Sequence, residues 1–290
     1  MPEISICIPS YKHSEFVRRA LDSLVDQTFK DFEVVVTDDS PDNQIEKVCN
    51  QYRDKFKIKY FKNSATLGSP ENWNESIRKA NGKWIKILHH DDWFNDPYGL
   101  SKFHQLTIDN PNVSFHFCTT RIVNHNTGEV TFNKPSEIQL ELITKSPLKL
   151  MYGNFIGPPS STLFRKDTKI FFDANIKYVV DIDFYIRLFN AFPGFGFCKE
   201  PLINNMSSHP DQVTAASLDR KTQLGEYIYL YNKLNPNAWP EREALLLFRT
   251  LFLKYEIRSE RDLQLLNFEL PKPRWIFNLL LFYLNKKHHR

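Results

Sequence analysis

Four consecutive residues, His89-His90-Asp91-Asp92, carry the clearest chemical signal in the chain. They close the apolar run Trp84-Ile85-Lys86-Ile87-Leu88 and precede Trp93 and the turn formers Asn95-Asp96-Pro97. Carboxylates grouped in this way are ligands for a hard divalent cation, which in turn binds phosphate oxygens. A neighbouring imidazole also suits a softer ion such as Mn2+. A second pair, Asp38-Asp39, closes another apolar run, Phe32-Glu33-Val34-Val35-Val36. Alone, either pair reads as readily as a helix cap. Two pairs, together with the aromatic Tyr11 after a third run, favour a nucleotide and metal site.

The elements that position these groups follow from the same runs. Ile4-Ser5-Ile6-Cys7-Ile8, ended by Pro9-Ser10-Tyr11, reads as a strand covered on both faces. Ser14 is placed to cap a helix whose apolar positions Phe16/Val17, Ala20/Leu21 and Leu24/Val25 return with helical period. Residues 44–56 read as a second helix, Ile58-Lys59-Tyr60-Phe61 as a third strand, and 71–80 as a third helix ended by Asn81-Gly82. This alternation predicts an α/β fold with a doubly wound, mostly parallel sheet. Ligands in such sheets bind beyond the carboxyl ends of the strands. Pro9 and Tyr11, Asp38 and Asp39, and residues 89–92 all fall at such ends and are predicted to meet in one crevice. Core packing is the competing role for Tyr11.

With 41% hydrophobic residues the 290-residue chain can bury a substantial core. A net charge of +4, with Lys and Arg scattered, argues against a nucleic-acid partner and suits an anionic substrate or a membrane surface. The four cysteines (Cys7, Cys49, Cys118, Cys198) form no CxxC pair, so free thiols in a reducing cytoplasm are expected, without zinc. Met1-Pro2-Glu3 leads straight into a strand, which predicts no signal peptide. No apolar stretch reaches the ~20 residues of a membrane span.

Ile6-Cys7-Ile8-Pro9-Ser10-Tyr11, then Ala20-Leu21-Asp22-Ser23-Leu24 leading to Gln27-Thr28, then Phe32-Glu33-Val34-Val35-Val36-Thr37-Asp38-Asp39 together resemble the opening of the family-two glycosyltransferases, which have the GT-A fold. Asn63, Gly68, Asn74 and Ala80-Asn81-Gly82-Lys83-Trp84-Ile85 continue the pattern, and the resemblance covers roughly residues 4–215. It implies that Pro9, Tyr11 and Asp39 line the pocket for base and ribose, that Asp38 bonds the base edge, and that Asn63, Gly68, His89 and His90 belong to the same nucleotide site. His89-His90-Asp91-Asp92 stands where the family has Asp-x-Asp-Asp, with His89 in place of the first Asp. Asp91 then matches the ligand of a divalent cofactor, Mn2+ or Mg2+, and Asp92 is expected to cap a helix or to support the motif rather than to ligate.

Further along, Gly157-Pro158-Pro159-Ser160-Ser161-Thr162-Leu163-Phe164-Arg165 resembles the family's strand before the acceptor site, and 124–143 is expected to be a polar, variable face. In Val180-Asp181-Ile182-Asp183, which resembles the family's Glu-Asp-x-Asp, the resemblance makes Asp181 and Asp183 catalytic, with Asp181 the general base. Favouring a helix N-terminus is the alternative for both. His209 matches the histidine of the family's closing loop, which completes the metal shell or touches the diphosphate, while the Tyr-Arg that usually precedes it is Met206-Ser207 here. The last stretch, 275–284, is apolar and aromatic and is followed by Lys286-Lys287-His288-His289-Arg290. It fits either a helix lying in a membrane interface or one packed on the domain with a solvated basic end.

The expectation is an inverting, metal-dependent transferase that moves a sugar from a nucleotide-diphosphate donor, UDP-linked, to a saccharide acceptor on a lipid carrier. Surface polysaccharide or O-antigen assembly at the inner face of the cytoplasmic membrane is the expected setting, with membrane contact through 274–290. Residues 1–112 would form the donor half, 113–215 the acceptor half of the same GT-A domain, and 216–290 a helical extension. The rivals are a sugar-phosphate nucleotidyltransferase, which would want a glycine-rich loop where Pro9-Ser10-Tyr11-Lys12-His13 stands, and a non-catalytic binding subunit in which His89 and Val180 mark decayed motifs.

Overall fold

The computed structural model describes residues 1–210, 219–234 and 242–288, with the side chains of Arg220 and of 286–288 left aside. The end of the closing loop from 211 and the basic side chains from 286 onward therefore lie outside the described residues. The chain runs β1 (Ile4–Ser10), α1 (Ser14–Val25), β2 (Phe32–Asp38), α2 (Gln44–Asn50), β3 (Ile58–Lys62), α3 (Glu71–Lys79), β4 (Trp84–Ile87), β5 (Trp93–Phe94) and α4 (Gly99–Asp109). It continues with β6 (Phe115–Asn124), β7 (Val130–Asn133), α5 (Glu137–Lys145), β8 (Thr162–Arg165), α6 (Val180–Ala191) and β9 (Gly196–Ser207). Helices α7 (Arg220–Leu234), α8 (Arg242–Lys254), α9 (Glu260–Leu265) and α10 (Arg274–His288) follow.

The strands form one mixed sheet in the order β3-β2-β1-β4-β8-β6-β9-β5, with β7 on β6. The first four are parallel, which puts the carboxyl ends of β1, β2 and β4 side by side as expected. Every residue of β1, β2 and β4 is buried because helices cover both faces. Side-chain alternation splits the core. Ile4, Ile6, Ile8, Val34 and Val36 pack under α1, α2 and α4, while Cys7, Val35, Ile85 and Ile87 face α3 and α6. Helix α1 buries Phe16, Val17, Ala20, Leu21 and Leu24, the apolar stripe read from the sequence.

Two segments hold elements that their sequence does not announce. The polar stretch 124–143 holds β7 and most of α5, whose start is a capping box of Ser136 and Gln139. Strand β9 runs twelve residues through polar Lys199-Glu200-Pro201, with register shifts against β6 that hide any period-two pattern.

The C-terminal helices share the α6-side core. Phe248 of α8 packs edge-on against Tyr231 of α7 at 5.3 Å and Phe277 of α10 at 5.1 Å between ring centroids. Helix α10 buries Phe277, Leu281 and Leu284 against this core and exposes Trp275, Leu279, Phe282 and Tyr283 on its other side. Among the described residues no helix is long and apolar enough to cross a membrane.

Candidate active site

A crevice of about 540 Å3 opens at the carboxyl ends of β1, β2 and β4 and is closed by the end of β9. Pro9, Tyr11, Asp39, Gly68, His89, His90, Asp91, Asp181 and His209 all line it. Tyr11 is 44% exposed, so it is a wall residue and not core. One wall is built around Asp39. Its Oδ1 accepts from Asn63 Nδ2 at 2.7 Å and from Leu67 N at 3.1 Å, and its Oδ2 from Gly68 N at 2.8 Å. Gly68 sits at φ +73°, a left-handed turn that favours glycine. Asn63 also bonds Asn72 Oδ1 at 2.9 Å and so acts behind the wall, holding Asp39 and Asn72 together.

Two expected contacts are corrected by the geometry. Asp38 is fully buried and its oxygens are engaged by Ser40 N (2.8 Å), Tyr60 Oη (2.7 Å) and Lys62 Nζ (3.2 Å), so it braces β2 against β3 and does not face the crevice. Asp183 is likewise buried on the rear of α6. It accepts from Arg187 Nε at 2.8 Å and Lys233 Nζ at 2.7 Å, which ties α6 to α7. A carboxylate held between two cations is a structural ion pair, not a base.

The His89-His90-Asp91-Asp92 stretch is a tight loop between β4 and β5. Atoms of His89, Asp91 and Asp92 able to ligate an ion lie within 4.8 Å of one another. Asp92 does not cap a helix, since α4 starts only at Gly99. Its Oδ1 accepts from Asn205 Nδ2 at 2.9 Å and Met206 N at 3.1 Å, which latches the motif to β9. Burial, and next the charge of Asp91, push its carboxyl up to about 7. Burial likewise pushes His89 down to about 4, under the ring of Trp73 at 4.5 Å. Asp92 Oδ2 and His89 Nε2 are both buried without a hydrogen-bond partner. Two carboxylates crowded together, with an orphan oxygen and an orphan imidazole nitrogen, fit a divalent cation. His209 lines the same crevice within a separate ring cluster, edge-on to His13 at 5.0 Å and Phe16 at 5.1 Å.

Asp181 stands at the first turn of α6. Its Oδ2 accepts from Asn154 Nδ2 at 2.6 Å and its Oδ1 from Ile182 N at 2.8 Å. Burial outweighs these bonds and pushes the carboxyl up to about 6. The same Asn154 amide also donates to Gly157 O at 2.9 Å, so the proline loop and Asp181 are set by one side chain.

The model of the family described as "Glycosyl transferase family 2" matches residues 5–171. This chain belongs to that family. The transferase is 30% identical over 241 residues to an uncharacterized glycosyltransferase of Rickettsia typhi, covering 80% of this chain and 71% of that one. It is 34% identical over 94 residues to GalNAc(5)-diNAcBac-PP-undecaprenol beta-1,3-glucosyltransferase of Campylobacter jejuni, 32% of this chain and 30% of the other. In fold it is similar to S. aureus TarS 1-349 in complex with UDP-GlcNAc, with a TM-score of 0.67, 19% identity, and coverage of 87% and 73%. It is also similar to a mannosyltransferase of Pyrobaculum calidifontis in complex with GDP-Man and Mn2+, with a TM-score of 0.57, 14% identity, and coverage of 98% and 85%. These likenesses make the fold GT-A.

Several positioning residues of the transferase escape sequence reasoning. Arg19 of α1 donates to Asp91 O at 2.7 Å while its guanidinium stacks 3.7 Å over Trp93, which ties the 89–92 loop to α1. Lys86 is fully buried in β4, and its ammonium donates to Ile87 O at 3.0 Å and to Ser160 O. Ser160 Oγ in turn accepts from His89 N at 2.9 Å. Glu226 of α7 accepts from the backbone N of Lys177 (2.9 Å), Tyr178 (2.6 Å) and Val179 (3.1 Å), and so fixes the approach to Asp181. The only sequence signal among these was a lysine inside an apolar strand. Glu226→Ala leaves three amides at the base of α6 without their acceptor and is expected to lower stability by about 1–3 kcal/mol. Turnover should fall about tenfold through misplacement of Asp181. Urea unfolding and steady-state kinetics check both, and unchanged kinetics would separate Glu226 from the site.

Proposed function

We propose that this glycosyltransferase transfers a sugar, with inversion, from a UDP-linked donor to a hydroxyl of a saccharide carried on a lipid, in the assembly of a cell-surface polysaccharide. One observation carries the reading: a carboxylate pushed up to about 6 lines the same crevice as a carboxylate–imidazole cluster fit for a divalent ion. A base poised near the working pH is what removal of a hydroxyl proton needs. The UDP assignment is supported by Tyr11 beside Asp39, a ring and a carboxylate suited to a nucleoside, and by the UDP-GlcNAc of the TarS complex. The lipid carrier is supported by the undecaprenol-linked substrate in the name of the C. jejuni relative.

In this reading Asp181 accepts the proton of the acceptor hydroxyl as its oxygen bonds to the anomeric carbon, and the bond from that carbon to the diphosphate breaks with the electron pair leaving on the nucleotide. Asp91, Asp92 and His89 would hold Mn2+ or Mg2+, which supplies neutralisation of charge on the departing diphosphate. Asn154 keeps the Asp181 carboxylate turned to the crevice.

The test is nucleotide release from UDP-, GDP- and dTDP-sugars with a saccharide acceptor mixture, in Mn2+, Mg2+ or EDTA. Release from UDP-sugar alone, lost in EDTA, is expected, and NMR of the product gives the stereochemistry. Release from GDP- or dTDP-sugar only would change the donor, and a retained anomeric configuration would remove Asp181 from its role.

Membrane contact belongs to the same reading. Trp275, Leu279, Phe282 and Tyr283, spaced 4, 3 and 1 residues apart, are 53–61% exposed on one stripe of α10, and the sequence continues into Lys286 and Lys287. Such a face suits an anionic bilayer interface. The double variant Trp275→Ser, Phe282→Ser is expected to lower partition onto phosphatidylglycerol vesicles about tenfold or more. Sedimentation with vesicles measures it, and equal partition would leave the lipid acceptor without this anchor.

A further inference from the structure

The lining of the crevice is poor in fixed cations. Among the described residues it has one lysine, Lys177, no arginine, and the carboxylates Asp39, Asp91 and Asp181. Arg19, which holds the Asp91 carbonyl, is also committed to Trp93. Four histidines line the crevice instead: His13, His89, His90 and His209. His89 belongs to the metal motif, and His209 to the closing loop. His13 has no assigned role, and its setting is unusual.

Lys12 and His13 are consecutive non-glycine residues in the left-handed region, at φ 54° and φ 48°. Such a residue is strained and persists only where its surroundings over-determine it. Here they do. Lys12 N donates to Ser40 Oγ at 2.7 Å, linking the loop after β1 to the loop after β2. His13 O accepts from Phe16 N at 3.0 Å and Val17 N at 3.3 Å at the start of α1. The imidazole is steadied by Glu15 Oε1, 3.3 Å from Nδ1, and lies on Phe16 at 5.1 Å. It is parallel to His90 at 6.3 Å and edge-on to His209 at 5.0 Å. The strained turn thus carries one ring from the base-binding loop across to the wall that meets the metal motif and the closing strand.

We propose that His13 is a donor-binding residue whose ring contacts the diphosphate of the nucleotide, beside His209, in a crevice lined among the described residues by a single lysine. The inference rests on the nucleotide-sugar reading given above.

The test compares binding of UDP and of uridine by calorimetry, at fixed Mn2+, to the full chain and to two variants suited to the left-handed backbone. His13→Gly removes the ring and relaxes φ, and His13→Asn tolerates φ and keeps an N–H donor. His13→Gly is expected to weaken UDP about tenfold or more, as for loss of a hydrogen bond to a charged group, with uridine within about twofold. His13→Asn should recover part of the loss. Equal weakening of UDP and uridine, or no weakening of UDP, overturns the contact. So does a loss that is matched by weaker Mn2+ binding in electron paramagnetic resonance without nucleotide. Failure of the unaltered protein to bind any of UDP, GDP or dTDP overturns the donor reading itself and this contact with it.

Discussion

The Asp181→Asn variant is expected to turn over donor about 10^2–10^4-fold more slowly than the unaltered protein, the range set by loss of a general base. Nucleotide affinity should stay nearly unchanged, because Asp181 stands on the acceptor side and touches none of the groups around Asp39. The amide keeps the size of the carboxylate and can still meet Asn154, so a loss of turnover without a loss of folding isolates the proton acceptor. A pH profile gives the second readout. The carboxyl is pushed up to about 6 by burial, and only its ionised form accepts a proton. The acidic limb of kcat/KM should therefore fall as pH drops through about 6, some two units above an ordinary Asp. Asn154→Ala removes a bond to the ionised form, so the limb should move to higher pH. A profile flat from pH 5 to 8, or a shift to lower pH in Asn154→Ala, would assign the proton to another group.

The parts of this site that sequence showed, and those it hid, divide along a physical line. Pro9, Tyr11, Asp39 and Asp91 were legible because each follows an apolar run that could only be a covered strand, and parallel strands present their carboxyl ends together. Asp38 and Asp183 were misplaced although they sit in the right motifs. Which of two adjacent or alternate carboxylates turns to solvent depends on partners such as Tyr60 and Lys233, distant in sequence and silent in pattern. Asp92 caps no helix but latches onto Asn205 and Met206, and its other oxygen also places it among the atoms fit to ligate an ion. Glu226 and Asn154 left no trace, because a carboxylate gathering three amides across 49 residues has no local signature. Helix α10 packs one apolar face on the domain and leaves another exposed.

Asp91→Asn should abolish Mn2+ binding, read by electron paramagnetic resonance, and reduce turnover about a thousandfold or more, as expected when charge on a leaving diphosphate goes uncompensated. Its effect on stability has the opposite sign. In the protein without metal, Asp92 is pushed up to about 7, first by burial and then by the charge of Asp91, against about 3.9 for a free Asp. A folded-state carboxyl raised in this way favours the fold while it is protonated, and that advantage is lost progressively as pH rises from about 4 through about 7. Thermal unfolding in EDTA should therefore come earlier at pH 7.5 than at pH 5.5, by on the order of a few degrees. Mn2+ should remove the difference by compensating both carboxylates, and Asp91→Asn should reduce it by removing the like charge. Metal-free protein that is equally stable at both pH values would show that Asp92 is ionised at no cost. The crowding of Asp91 and Asp92 would then no longer argue for an ion. A protein that gains stability from Mn2+ at pH 7.5 and loses that gain in Asp91→Asn would bind the cation to relieve its own buried charge, with the diphosphate as the second group it serves.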